Sequence, residues 1–480
     1  MDSRAIARLA VKGSAALMAR QVMTGAVTFG GGVLLARLLS PAEFGGYALI
    51  VFVAALSKLL IDGGLAATLV QQNHEPSAVE RSTVFTVQSL ISVVTFGAIQ
   101  LIIPLATSHF AEVSRFGLAM RIASVSVLGA PVSSVCLAML ERALRFGQVS
   151  ALLTIQPVVF NALAVFLSFR GWGVVGLGVA LTASTLVVVP FAAAGAGALP
   201  RFGYSRQALD GRFRFGIPFI GTGVVSALKD AVNPILIGIL FGAIAVGYIN
   251  WAQQVAVMGT YVLFALSRLL FPLFARLRTD APALRRALIQ SLFWCNAVVA
   301  PIALFTCSFA SDVTRIVFGV QWLPAVPTLL LLSISNVLSP TMVVLMALMN
   351  ALGKAKIPLF YAMAWFAGSW ILVPWLSSGL GYVGYGWANV GVNLLGIPLV
   401  FTSRSYVPLR SYASTFRPWL YALIGIGVVV VGVRLIGVEQ SLWTLILSGM
   451  IGVLISSCFL ILLSKPLVHE MRRVLEDVRA

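Results

Sequence analysis

Residues 34–71 read LLARLLSPAEFGGYALIVFVAALSKLLIDGGLAATLVQ. One apolar run ends at Ser40-Pro41, and a second runs from Phe44 to Leu69 with only two charges inside it, Lys58 and Asp62. A helix needs about 20 consecutive apolar residues to cross roughly 30 Å of hydrocarbon, so the second run has the length of a membrane span. The pattern recurs in both directions along the chain. Charged or Gly/Pro-rich breaks divide the sequence into about fourteen such runs: 14–36, 44–69, 83–106, 117–139, 149–169, 173–197, 216–241, 246–271, 288–310, 325–350, 357–377, 383–402, 418–436 and 441–463.

The composition agrees. Of 480 residues, 59% are apolar and 10% charged, with a mean hydropathy of +0.99; a soluble domain carries about 25% charged residues. A water-soluble enzyme, a disordered chain and a disulfide-stapled secreted domain are excluded. The four cysteines, Cys136, Cys295, Cys307 and Cys458, sit in apolar runs without a CxxC pair and read as small hydrophobes. The opening MDSRAIARLAVKGS places Arg4, Arg8 and Lys12 before a run too long for a signal sequence, so the first helix is expected to stay.

The formal charge of +18 could signal nucleic acid, anionic lipid or an anionic cargo. Its distribution decides. With the N-terminus inside, the cytoplasmic segments hold twenty-three Lys and Arg, and the external ones five: Arg37, Arg115, Arg170, Arg315 and Arg434. This is the positive-inside bias of a multi-pass protein with both termini cytoplasmic. The basic residues spread over eight segments and form no single stripe, so no nucleic acid is expected as a partner.

The sequence also resembles itself. Residues 171–180, GWGVVGLGVA, align with 379–388, GLGYVGYGWA, and LERALRFGQ aligns with LMNALGKAK at the same offset. A weaker pair sets 34–47, LLARLLSPAEFGGY, against 235–248, ILIGILFGAIAVGY. Helices 1–6 thereby fall on helices 7–12. The expected fold is an all-α polytopic membrane protein of two six-helix lobes, related by a pseudo-twofold along the membrane normal, plus two C-terminal helices. The corresponding domains are 1–200, 201–405 and 406–480. Twin lobes with short loops describe a transporter working by alternating access about a midplane site.

Seven ionisable residues fall inside spans: Arg20, Lys58, Asp62, Arg121, Lys229, Asp230 and Arg268. Charges are costly in hydrocarbon and ordinarily face a cavity or a partner. Together they carry net +3, the sign of a cavity for an anion such as a diphosphate. The basic five, Arg20, Lys58, Lys229, Arg121 and Arg268, are therefore substrate-binding candidates. Asp62 and Asp230 are the expected carboxylates within spans and the candidates for coupling to H+ or Na+. Each has a plainer reading. Lys58 and Asp62, one turn apart, are placed for an ion pair; Arg268 and Arg121 lie near span ends and are placed to snorkel. Lys229 and Asp230 point about 100° apart on a helix and should not simply neutralise each other. No catalytic constellation stands out: His74, His109 and His469 are scattered, and neither HExxH nor GxxxxGK[ST] occurs. The expectation is no enzyme, no metal and no cofactor.

The ARLLSP turn with Phe44-Gly45, the Asp62-Gly63-Gly64 break with Ala66-Ala67, and Gly242 to Tyr248 followed by Phe271-Pro272 resemble the bacterial polysaccharide transport family. These are oligosaccharide flippases of the multidrug/oligosaccharidyl-lipid/polysaccharide exporter superfamily. The resemblance covers about residues 10–405. It implies translocation of undecaprenyl-diphosphate-linked oligosaccharide across the bacterial inner membrane, for O-antigen, capsule or exopolysaccharide. It also implies a cationic central cavity that Arg20 would line, contact with membrane lipid, and a polysaccharide polymerase and chain-length regulator as partners. Lysine at 58 and 229 departs from the arginine that would grip a diphosphate more rigidly. The alternatives are a drug/cation antiporter of the same superfamily, whose cavity should be acidic, and a membrane glycosyltransferase or polysaccharide polymerase, which would need a long external loop. A facilitator-type sugar transporter would need a Gly-x-x-x-Asp-Arg pattern, absent after the second helix.

Overall fold

The structure, a computed structural model, describes residues 23–463 apart from 73, 110–114, 198, 210–222, 355 and 438–440. Among the described residues there are helices and turns and no strand. Arg20 lies outside them, as does the side chain of Arg268.

The decisive stretch folds as its chemistry dictates. Helix α1 (Met23–Leu38) is followed by α2 (Pro41–Asp62), which opens on a reciprocal cap: Glu43 N–H donates to Ser40 Oγ, and the Ser40 N–H donates to the Glu43 carboxylate. Proline at the first helical position gives up an N–H that would have no partner there. The helix stops at Gly63 and Gly64, both left-handed (φ 54° and 66°), a conformation that favours glycine. The expected span 44–69 is thus two elements, α2 and the short α3 (Leu65–Gln71).

The first unit continues with α4 (Ala78–His109), α5 (Phe116–Ser124), α6 (Ser126–Arg142), α7 (Phe146–Phe169) and α8 (Gly173–Ala196). Helix α8 packs along α5, α6 and α7, while α4 packs along α5 and α6. Helix α6 runs past the expected end of its span at 139. It closes on a turn in which Leu144 is left-handed (φ 55°), with Leu144 N–H donating to the Glu141 carbonyl and Arg145 N–H to that of Leu140. Arg142 then holds the neighbouring connection by donating to the carbonyls of Leu69, Val70, Gln72 and His74.

A further apolar run, α9 (Gly223–Val257), contains a π-turn at Val232–Ile237 and a break at Gly242 (φ 75°, ψ −175°), where the expected spans 216–241 and 246–271 divide. Its Ala243–Gly247 segment crosses α2 backbone to backbone. A Cβ placed on Gly45 would fall on the Ala243 carbonyl and 2.9 Å from Gly247 N; one on Gly247 would fall on the Pro41 carbonyl and 3.2 Å from Gly45 N. In the register of 34–47 on 235–248, Gly247 falls on Gly46, so this crossing brings together Gly45 and Gly247 without their being equivalent positions of that repeat. Such approach permits Cα–H···O=C contacts that any side chain would block.

Internal packing divides the chain into two units, Met1–Asn250 and Trp251–Ala480. In the second, Tyr261–Leu277 packs on Ser339–Ala351, Lys356–Leu380 on Gly384–Leu394, and the last two helices, Arg417–Ile436 and Leu442–Leu463, on each other and on Ala281–Ser308. Its core gathers Phe274, Leu288, Leu292, Leu345 and Leu348, all fully buried. Helix Ser339–Ala351 ends as α6 does: Gly353 is left-handed (φ 73°), Gly353 N–H donates to Asn350 O and Lys354 N–H to Met349 O.

Eleven runs among the described residues are long and apolar enough to span a membrane. Two of them contain a break, at Gly242 and at Gly381 (φ 61°), and Met23–Leu38 is shorter than the rest. Eleven spans are thus found among the described residues where fourteen were expected, with Met23–Leu38 and Tyr261–Leu277 too short to be counted. Leu101 and Leu435 are more than four-fifths exposed and belong to broad apolar outer surfaces, which hydrocarbon tolerates and water does not.

Candidate functional site

The first unit encloses a cavity of about 490 Å³. Its wall is mostly alanine, valine and leucine, interrupted by three ionisable side chains: Lys58 and Asp62 from α2, and Glu141 from α6. Lys58 and Asp62 share a face because they are one turn apart, and Glu141 joins them because Ser134, Ala138 and Glu141 repeat at helical spacing on α6. Ser126, Ser133, Ser134, Gln156 and Thr185 supply the remaining polar lining.

Asp62 is held on both its backbone and side chain. The left-handed turn after α2 leaves its carbonyl without a helical partner, and Gln88 Nε2 from α4 donates to it at 3.2 Å. Ser134 Oγ donates to Asp62 Oδ1 at 2.8 Å, and Gln88 Nε2 lies 3.5 Å from the same oxygen. Gln88 is fully buried and its Oε1 has no partner. Among the described residues, no ion pair joins Lys58 to Asp62, so the one-turn pairing that their spacing allowed is not made. Lys58 is exposed to the cavity and Glu141 partly so.

Of the other expected site residues, Arg121 is exposed on α5 and takes no part in the cavity wall. Lys229 and Asp230 form an ion pair at 2.8 Å, with side chains 37% and 61% exposed. This corrects the expectation drawn from their directions on a helix: four methylenes let the lysine head fold back to its neighbour whatever the Cβ angle. The expectation that Asp62 and Asp230 are the carboxylates within spans also needs correction, since α6 carries Glu141 inside the run Phe116–Arg142. The described cavity wall therefore holds one ammonium and two carboxylates.

The second unit holds a cavity of about 690 Å³ with a different lining: Phe271, Ser339, Met342, Val343, Met346, Ala347, Asn350, Trp365 and Asn393. None of these is ionisable. Asn393 Nδ2 donates to the Asn389 carbonyl and to Asn389 Oδ1, both at 3.0 Å. Ser339 Oγ donates to Asn336 Oδ1 at 3.2 Å. Nearby, Asn296 is fully buried, accepts from Trp419 Nε1 at 2.7 Å and donates to Leu292 O, fixing the first of the last two helices.

Two bundles of apolar helices, each with a cavity and one with charged side chains in its cavity wall, define an all-helical membrane transporter architecture. Residues 34–327 match the family described as "Polysaccharide biosynthesis protein", and the chain belongs to that family. It is 25% identical over 464 residues to the succinoglycan biosynthesis transport protein ExoT of Rhizobium meliloti, covering 93% of this chain and 91% of that one. It is also 25% identical over 467 residues to the teichuronic acid biosynthesis protein TuaB of Bacillus subtilis, covering 93% of each. In fold it matches the lipid II flippase MurJ in an inward closed conformation, with TM-score 0.78 at 15% identity, over 94% of this chain and 99% of that one.

Proposed function

We propose that this chain is a flippase that carries undecaprenyl-diphosphate-linked oligosaccharide from the cytoplasmic to the periplasmic leaflet of the bacterial inner membrane, supplying a surface polysaccharide. Family membership, relatives named for succinoglycan and teichuronic acid biosynthesis, and the fold shared with a lipid II flippase support this reading. The observation that carries it is the cavity holding Lys58, Asp62 and Glu141 inside an apolar bundle. A diphosphate cannot cross hydrocarbon bare, because losing its hydration costs many kcal/mol; a protein chamber must replace that water with fixed polar groups. Lys58 is the cation for this task, with Arg20, Lys229, Arg121 and Arg268 as further contacts along the route.

The two carboxylates give the cavity a second role. An arriving anion is repelled by ionised Asp62 and Glu141, so uptake of H+ or Na+ at these groups favours cargo binding, and cation release favours cargo discharge. Asp230 remains a coupling candidate of lower rank because Lys229 already neutralises it. The lobes 1–200 and 201–405 would rock about the crossing of Gly45 and Gly247, with 406–480 appended. The same pattern of helix end at Leu144 and, one position beyond its aligned residue, at Gly353 supports that repeat. Both termini lie in the cytoplasm in this reading, and a polymerase and chain-length regulator receive the product.

Deleting the gene should make lipid-linked oligosaccharide accumulate and surface glycan disappear, and a plasmid copy should restore both. Lys58→Ala and Arg20→Ala should lower export by tenfold or more at normal membrane abundance. Asp62→Asn and Glu141→Gln should remove the dependence of export on pH or Na+. Unchanged glycan on deletion refutes the function, and wild-type export by Lys58→Ala refutes the role of that lysine. A second reading, a drug/cation antiporter, has one observation in its favour: two carboxylates against one lysine in the described wall. Extrusion of ethidium from vesicles by the purified chain would establish it.

A further inference from the structure

Resting on the flippase reading, we propose that the cavity of the second unit binds the sugar portion of the cargo, stacking a pyranose ring on Trp365 and accepting hydroxyl hydrogen bonds at Asn393, Ser339 and Asn350. With no ionisable side chain in its lining, the cavity offers no countercharge to a diphosphate and no carboxylate to a cation. An aliphatic tail would make no use of the acceptor lone pairs left at Asn393 and Ser339 or of the Asn350 amide.

The hydrogen-bonding capacity left over has one sign in particular. Asn393 has committed its Nδ2 to Asn389, a choice fixed by the backbone carbonyl it donates to, so Oδ1 is the end left for a ligand. Ser339 has committed its proton to Asn336, leaving lone pairs. Asn350 is exposed, with both ends of its amide to offer. The acceptors at Asn393 and Ser339 suit a ligand that brings O–H donors, and the Asn350 amide, which both donates and accepts, can meet a hydroxyl in either sense. Trp365 is packed against the unit's core on one side and lines the cavity on another. Its indole N–H is buried and unpaired, although a buried tryptophan ordinarily finds a partner. Its own hydrogen bond therefore does not explain its place, and what it presents to the cavity is its ring. Met342 and Met346 flank the site with adaptable thioethers. The volume lies within the range of about 300–1,000 Å³ typical of small-ligand pockets.

The location suits cargo arriving from the cytoplasm. Asn350 lies in the last turn of its helix, just before the connection that carries Lys354, and at 1.5 Å per residue Trp365 lies about 14 Å along its helix from Lys356; the charge bias assigns both lysines to the cytoplasmic side. This cavity would then read the sugars of the cargo and be the seat of glycan selectivity.

The test uses the full chain in lipid nanodiscs and two probes. One is the oligosaccharide released by mild acid from the lipid-linked pool that accumulates in the deletion strain; the other is farnesyl diphosphate, which has the charged link and no sugar. Failure of the flippase reading shows first and separately, as absence of that pool. Trp365→Ala should weaken oligosaccharide binding by tenfold or more. Trp365→Phe, which keeps a ring in place, should fall between it and the wild type, and Asn393→Ala and Asn350→Ala should each cost about three- to tenfold, the worth of one net hydrogen bond. Farnesyl diphosphate affinity should stay within twofold throughout. Oligosaccharide affinity within twofold of wild type in all four variants overturns the proposal. An equal loss for both probes overturns it as well, because the cavity would then not distinguish sugar from the charged link.

Discussion

The crossing of α2 and α9 makes a quantitative prediction. Adding one methyl group at Gly45 or at Gly247 places a carbon onto a carbonyl of the opposing helix and within 2.9 Å of further backbone atoms. Ordinary heavy-atom contacts of this kind lie at about 3.5–4.0 Å, so a carbon placed on the carbonyl oxygen requires the helices to part by about 1.6 Å or more. Overpacking of this sort costs about 1–3 kcal/mol, and the lost Cα–H···O=C contacts add about 0.5–1 kcal/mol each. Gly45→Ala and Gly247→Ala should therefore each lose about 2–3 kcal/mol. The two sites share one crossing, and a crossing opened by the first methyl already accommodates the second. The double variant should consequently lose about 1–2 kcal/mol less than the two single losses combined. Equilibrium unfolding in mixed detergent micelles, followed by far-UV circular dichroism, reads all three. Full additivity, or single variants as stable as wild type, would refute the backbone-to-backbone crossing.

Two further predictions concern tethers. Arg142→Ala removes a guanidinium shared among four carbonyls; with charge-assisted bonds worth about 1.5–3 kcal/mol net, it should accelerate proteolysis within residues 72–77 in inside-out vesicles, whereas Arg145→Ala, which loses one described bond, should change little. Asn296→Ala strands the Trp419 indole N–H and should lower stability by about 1–3 kcal/mol, measured by thermal unfolding in micelles; Asn296→Asp, which retains the acceptor, should recover part of the loss, and a fully stable Asn296→Ala would show that the tether contributes nothing.

The spans were legible because hydrocarbon thickness imposes a length on apolar runs, and the glycine break after Asp62 was visible because only glycine comfortably takes two successive left-handed positions. Glu141 was harder to see. It follows an apolar run, and a charge at the end of a run reads as the start of a loop, although its helical spacing from Ser134 and Ala138 placed it on their face. The pairing of Lys229 with Asp230 escaped for a different reason: helical geometry fixes where a side chain begins and not where four methylenes end. The second cavity was beyond reach of sequence altogether, because Phe271, Asn350, Trp365 and Asn393 come from four separate segments and meet only through tertiary packing.

The charge of the first cavity also decides how a flippase could be driven. A unit of cargo charge about 7 Å from an ionised carboxylate is raised by about 2.4 kcal/mol at an effective dielectric of about 20. Protonating that carboxylate removes the whole term, and at about 1.4 kcal/mol per factor of ten the cargo would bind some fiftyfold more tightly to the protonated form. A cavity lined by arginine alone would hold a diphosphate well and release it poorly. If the proposed flippase is coupled to H+ or Na+, one lysine opposed by Asp62 and Glu141 would give weaker holding and an affinity that the cation gradient resets on each side of the membrane, and export by Asp62→Asn and Glu141→Gln that keeps the wild-type dependence on pH and Na+ would refute that coupling.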